Sequence, residues 1–240
     1  MPDNKGKNLP DHILTSYGDQ IELIQSKTLE MAGLVEASFT SAIKALINGD
    51  TAVSKEISIS DYKVNAMEIE IDEKCNAMLA TGPVATDLRT IIVVMQVVTD
   101  LERVGDESEK IARNSLDLDY PNIHKNFLKS IENLGTRSAA LLRKSIDAYA
   151  RKSVDQSLEV VEEDSKLDEE YEACMRQLIT YMMQDHRHIK TILDIANCAR
   201  GIERIGDHAK NIAQHTVYLI KGKDIRHTKP EDILKVDLNN

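Results

Sequence analysis

Apolar residues return every seven positions over long stretches of this chain. Ile57, Val64, Ile71 and Met78 form one such series, and Val160, Leu167, Cys174 and Tyr181 form a second, displaced by 103 residues. A sustained seven-residue period marks a helix laid along another with coiled-coil-like packing. A further helix is predicted ahead of each series, over residues 19–48 in the first half and 123–151 in the second. Gly49 reads as a helix stop and Asp50 as the next N-cap, while Ser153 caps the corresponding helix in the second half. Gly82-Pro83 then separates the second predicted helix from a third. Gln184-Asp185-His186 does the same in the second half, where the connection is two residues shorter.

The third helices carry the clearest repeat. Leu101-Glu102-Arg103-Val104-Gly105-Asp106 returns as Ile202-Glu203-Arg204-Ile205-Gly206-Asp207, displaced by 101 residues, and Ile111-Ala112 matches Ile212-Ala213. The pattern predicts an all-α protein: two tandem three-helix bundles related by an internal repeat, six long antiparallel helices of roughly 30 residues each. The expected units are residues 1–119, 120–222 and a polar C-terminal tail, 223–240. Tyr120-Pro121-Asn122 marks the seam. Bundles joined end to end would make an elongated molecule.

Composition agrees with long helices. The 240 residues include only 10 Gly and 5 Pro, too little punctuation for a β-sandwich, and no Trp. No apolar run approaches a membrane span, the most conspicuous being 91–95, so direct membrane insertion is not expected. The polar start of the sequence lacks an apolar signal region. Three cysteines, without any C-x-x-C, fit core thiols in a reducing cytoplasm. A net charge of −10 argues against nucleic-acid partners and suits divalent cations or basic protein surfaces.

A glutamate and an aspartate four apart share one face of a helix, about 6 Å from each other. Among 40 acidic residues a single such pair means little. Here the pair recurs at equivalent positions, and Gly105 and Gly206 sit between the acids, where a helix-interior glycine costs about 1 kcal/mol relative to alanine. That tolerance points to close approach by another helix or a ligand. Asp61 and Asn65 on the preceding helix, matched by Asp164 and Asp168, offer facing oxygen donors. Oxygen-only clusters suit hard cations: magnesium, manganese or oxidised iron. The competing reading is a solvated acidic face that pairs with Arg103 and Arg204.

His208 is a possible extra ligand, although Glu107 takes its place in the first half, and His186 and His188 read as exposed. Met31, Met67, Met78, Met182 and Met183 read as core filler. No Gly-rich phosphate loop, G-x-S-x-G or H-E-x-x-H occurs, and the E-x-x-H of di-iron bundles is missing, so an enzyme is not expected.

Together these motifs, with Asp87-Leu88-Arg89, Tyr181-Met182-Met183 and Asp224-Ile225-Arg226-His227, resemble the PhoU family of phosphate-signalling regulators, most closely its proteobacterial members. The resemblance runs from about residue 12 to 229. It implies two three-helix bundles with multinuclear metal clusters, often iron. Carried onto this chain, the implied metal ligands are Glu102, Asp106, Asp164, Asp168, Glu203 and Asp207, with Asp61. Asn65 departs from the acidic pattern, so a weaker first-half site is expected. The resemblance further implies a cytoplasmic homodimer, peripheral to the inner membrane through its partners. It would be an adaptor between the ATPase of a high-affinity phosphate transporter and a membrane-bound sensor histidine kinase, holding signalling and uptake off when phosphate is plentiful. A metal-dependent phosphohydrolase and a metal-binding scaffold are the alternatives.

Overall fold

The structure, a computed structural model, describes the backbone of residues 9–60, 62–123 and 125–226. Side chains are described from residue 17 onward within that range, except at 122 and 186. Asp61 and the tail beyond Arg226, including His227, lie outside the described residues. Among the described residues there are seven helical segments and no strand: α1 Leu9–Asn48, α2 Thr51–Ser60, α3 Tyr62–Leu79, α4 Ala85–Leu116, α5 Lys125–Arg151, α6 Val154–Gln184 and α7 Ile189–Lys221. Short 3-10 turns occupy Tyr120–Asn122 and His186–His188. Segments α2 and α3 together take the place of the second predicted helix, so the two three-helix bundles expected from the repeat are present.

The breaks have local causes. Gly49 is left-handed at φ 67°, and Asp50 Oδ1 accepts hydrogen bonds from the Ala52 and Val53 amides at 3.1 Å, opening α2. Ser153 Oγ accepts from the Gln156 amide and opens α6. Pro83 and the left-handed Gly82 keep α3 from running into α4. Asp185 closes α6 and accepts from the Arg187 amide at 3.1 Å. At the seam Tyr120 lies against Gly49 and donates its hydroxyl to Leu46 O at 2.9 Å, tying the start of the second half to the end of α1.

The heptad positions Ile57, Val64, Ile71, Met78, Val160, Leu167 and Cys174 are all buried. So are the free thiols Cys75 and Cys198. Tyr181 is half-buried, with its ring edge against Phe127 at a centroid distance of 5.0 Å. The bundles are not joined end to end, however. α4 packs along α7, and α1 along α5, so the two halves lie side by side around one shared core. The physical reason is that α4 and α7 are apolar or small on two sides. On α4, Ile91, Val93, Val94, Val97, Val98 and Leu101 are all buried, too wide a band for one bundle alone. Close approach depends on glycines: a Cβ at Gly201 would sit 3.1 Å from Ile111 Cγ1, and one at Gly135 would sit 2.8 Å from Ile43 Cγ2.

Candidate acidic sites on the third helices

In the second half the expected residues lie on neighbouring faces of two helices. Asp164 and Asp168 on α6 face Glu203 and Asp207 on α7. A Cβ at Gly206 would overlap Leu167 Cδ2 outright and fall 3.8 Å from Asp164 Oδ1. The glycine between the acids is therefore what lets the buried Leu167 and Asp164 come against the α7 backbone. Asp164 is 1% exposed, and its Oδ1 is buried with no hydrogen-bond partner among the described residues. Its Oδ2 accepts from Lys210 Nζ at 2.6 Å.

The electrostatics follow from crowding. Burial, then the charge of Asp164 and Asp207, lifts the Asp168 carboxyl above its ordinary value. Burial and the neighbouring Asp207 and Asp168 lift Glu203, and burial with Asp164 lifts Asp207. Four carboxylates, Asp207 the most exposed of them, thus lie within electrostatic reach of one another and of the Lys210 ammonium group. Burial works against the charge on Lys210, but the hydrogen bond from Nζ to Asp164 and the charges of Asp164, Asp168 and Asp207 together outweigh it and raise its pKa.

The first half is arranged differently. Glu102 and Asp106 on α4 meet Glu68 of α3, whose pKa is raised by burial and by Glu102, Asp72 and Asp106; burial also raises Asp72. Asn65 lies partly buried on the same helix, one turn before Glu68. Lys110 approaches Asp106 at 3.7 Å and Glu107 at 3.1 Å. Glu68, Asp72 and Lys210 are not among the residues that the sequence motifs single out. The signal for the two acids is the continuation of the 61, 65 stripe to 68 and 72 on the same helix face. Their counterparts in the second half, Tyr171 and Met175, are apolar, so a search confined to matched positions passes over them. Lys210 is matched in the first half by Glu109, and nothing in the repeat marks it.

Two expected partners go elsewhere. Arg103 Nε pairs with Glu102 at 3.4 Å, but Arg204 of α7 reaches Glu107 of α4 at 3.2 Å. His208 also faces α4: its Nδ1 lies 2.9 Å from Asp100 Oδ1, which accepts from Asn211 Nδ2 at 3.1 Å. His215 Nε2 lies 3.2 Å from Asp100 Oδ2. His188 is partly buried, 3.7 Å from Asp185.

The donor chemistry suits a hard cation: crowded carboxylates, one with an unused buried oxygen. As the side chains stand, no three His, Cys, Asp or Glu groups among the described residues surround a common point. A cation entering the second half has to take Asp164 from Lys210 and draw the remaining carboxylates inward.

A duplicated three-helix unit with an acidic pair on the third helix of each copy defines a class of all-α proteins built by internal repetition. The family model described as the PhoU domain matches residues 28–115 and again residues 131–216. The chain belongs to the PhoU family. It is 40% identical over 221 residues to the phosphate-specific transport system accessory protein PhoU of Serratia marcescens, covering 92% of this chain and 90% of that protein. To the protein of the same name from Escherichia coli K12 it is 39% identical over 230 residues, 95% of each chain. The crystal structure of PhoU from Pseudomonas aeruginosa superposes with a TM-score of 0.83 at 38% identity, covering 86% of this chain and all of that one. The phosphate transport system regulatory protein PhoU from Streptococcus pneumoniae gives 0.80 at 25% identity, covering 87% and 98%. No helix among the described residues is long and apolar enough to cross a membrane.

Proposed function

We propose that this protein is a cytoplasmic, non-enzymatic regulator of phosphate uptake and of the phosphate-starvation response. It acts as an adaptor between the ATPase of a high-affinity phosphate transporter and a sensor histidine kinase, and keeps both off when phosphate is plentiful. The observation that carries this reading is the match of both repeats to one family, with relatives named as accessory proteins of phosphate-specific transport along nearly the whole chain. The homodimer implied by the resemblance belongs to the same proposal. The test is a deletion strain, which should express phosphate-scavenging genes in phosphate-rich medium and regain repression when this chain is restored. Normal repression in the deletion strain contradicts the reading.

Within that role we propose that the two acidic clusters hold hard ions, iron, manganese or magnesium. Glu102 and Asp106, with Asn65 and Asp61, would supply the first site, joined there by Glu68. Asp164, Asp168, Glu203 and Asp207 would supply the second. The support is the raised carboxyl pKa values and the unused Oδ1 of Asp164. The ion would fix α3 to α4 and α6 to α7, and so shape the surfaces that partners read.

A further inference from the structure

The outward face of the second helix in the first half is apolar. Ile59 on α2 and Tyr62 and Ile69 on α3 are 74%, 66% and 60% exposed, and Ala66 between them is exposed as well. Tyr62, Ala66 and Ile69, four and three residues apart, share one exposed face of α3, and the exposed Ile59 lies near the end of α2, just ahead of it.

The internal repeat supplies a control. The same four positions on α6 are Glu162, Ser165, Glu169 and Glu172, all exposed. One duplicated helix face is therefore solvated as usual, and its twin presents two isoleucines and a tyrosine to water. Leaving such side chains exposed forgoes the free energy of burying them. Contiguous exposed apolar stripes of this kind mark interaction sites.

The rim of the stripe identifies the occupant. Glu73 continues the stripe and Asp72 borders it on the side of the acidic cluster, with Glu68, Glu102 and Asp106 behind. Glu56 and Glu70 on the other flank outnumber Lys63 there, and Lys55 stands at the start of the stripe, so the rim is acidic on balance. Two copies of this chain meeting through the stripe would bring these acids together, a costly contact. An anionic bilayer is repelled in the same way. A basic partner is attracted, and an apolar ridge along a helix is matched by another helix with the same spacing.

We infer that the Ile59, Tyr62, Ala66 and Ile69 stripe is a docking face for an amphipathic helix of a partner protein, one that carries Lys or Arg beside its apolar ridge. This assignment rests on the adaptor reading and specifies a face through which it acts. The partner's ridge lies over Ile59, Tyr62 and Ile69, and its basic residues reach Asp72 and Glu73.

The test transplants the α6 face onto the full-length protein as Ile59→Glu, Tyr62→Ser, Ala66→Glu and Ile69→Glu, with Ile69→Glu alone as the milder variant. All four positions are exposed, so helix content and melting temperature should be kept. The probe is a synthetic helical peptide about five turns long, with a Leu ridge flanked by Lys, alongside a twin flanked by Glu. The wild type should bind the Lys peptide and not the Glu peptide, and the fourfold variant should lose at least about tenfold in affinity. Sedimentation should show the same oligomeric state for both. Equal peptide binding by wild type and variant overturns the proposal. So does a change of oligomeric state on substitution, which would make the stripe a contact between copies, and so does substitution-sensitive binding to anionic vesicles. Restoring each version to the deletion strain separates the two readings. If wild type restores repression and the fourfold variant does too, the docking face is wrong and the adaptor role stands. If wild type itself fails, the adaptor role falls while the peptide measurement still decides the face.

Discussion

Lys210 Nζ, on a partly exposed side chain of α7, donates to the buried Asp164 Oδ2 of α6 at 2.6 Å. The second acidic cluster therefore carries its own cation at hydrogen-bond distance, whereas in the first cluster Glu109 takes the matching position, turned to Arg113 at 2.8 Å, and Lys110 stands 3.7 Å from Asp106. The neutral Asn65 points to the first site as the weaker one. Lys210 works in the opposite direction, because an ion entering the second site competes with an ammonium already in place.

Lys210→Met is thus expected to act oppositely with and without metal. Without metal it leaves Asp164, 1% exposed, as a buried charge lacking its partner, a loss of about 3 kcal/mol. With manganese present the competitor is gone and the ion should bind more tightly, recovering most of that loss. Urea unfolding with and without manganese checks this. Equal destabilisation in both conditions would place no ion at Asp164.

Gly206→Ala should destabilise the protein although alanine is the better helix former. The new Cβ would overlap Leu167 Cδ2, and Leu167 is fully buried, so overpacking at about 1–3 kcal/mol exceeds the propensity gain of about 1 kcal/mol. Gly33, on the exposed side of α1 with nothing within 4 Å of an added methyl group, is the control. Gly33→Ala should stabilise by about 0.5–1 kcal/mol. Parallel melts compare the two. A neutral Gly206→Ala would remove the packing explanation for the glycine between the acids.

Asp100 predicts a pH dependence. Burial pushes its carboxyl upward, but hydrogen bonds from His208, His215 and Asn211 outweigh it and hold the pKa below the ordinary value. A depressed folded-state pKa contributes stability that is complete above the unfolded-state value, about 3.9, and is lost as pH falls through the lower folded-state value. Asp100→Asn should cost about 2 kcal/mol at neutral pH, and the gap to wild type should close below roughly pH 4. Stability measured by urea titration from neutral to acid pH checks this. A gap that stays constant to the lowest pH would show that the charge on Asp100 contributes nothing.

The elements are legible in the sequence because heptads and caps are local. Ile57 to Met78 and Val160 to Tyr181 announce helices that bury one face, and Asp50 and Ser153 announce where they begin. The side-by-side packing of the halves is less legible. A single period reports that a face is covered and not what covers it, and only the wide apolar band of α4 from Ile91 to Leu101 hints at a second neighbour. The acidic pairs are legible from repetition, which also hides their differences. Glu68 and Asp72 have apolar counterparts, and Lys210 has an acidic one, so matching the halves position by position selects what they share. Arg204 and His208 adjoin the acids in sequence but turn to Glu107 and Asp100, because neighbours in a helix point about 100° apart.

The most direct measurement of the central claim is metal content by elemental analysis, after loading with manganese or iron and removing loosely held ions. Wild type should retain metal. Glu102→Gln with Asp106→Asn should remove one share, Glu203→Gln with Asp207→Asn the other, and the four changes together should remove all of it, with helix content unchanged. Wild type that retains no metal, or a fourfold variant that retains as much as wild type, would contradict the assignment of these carboxylates to hard ions.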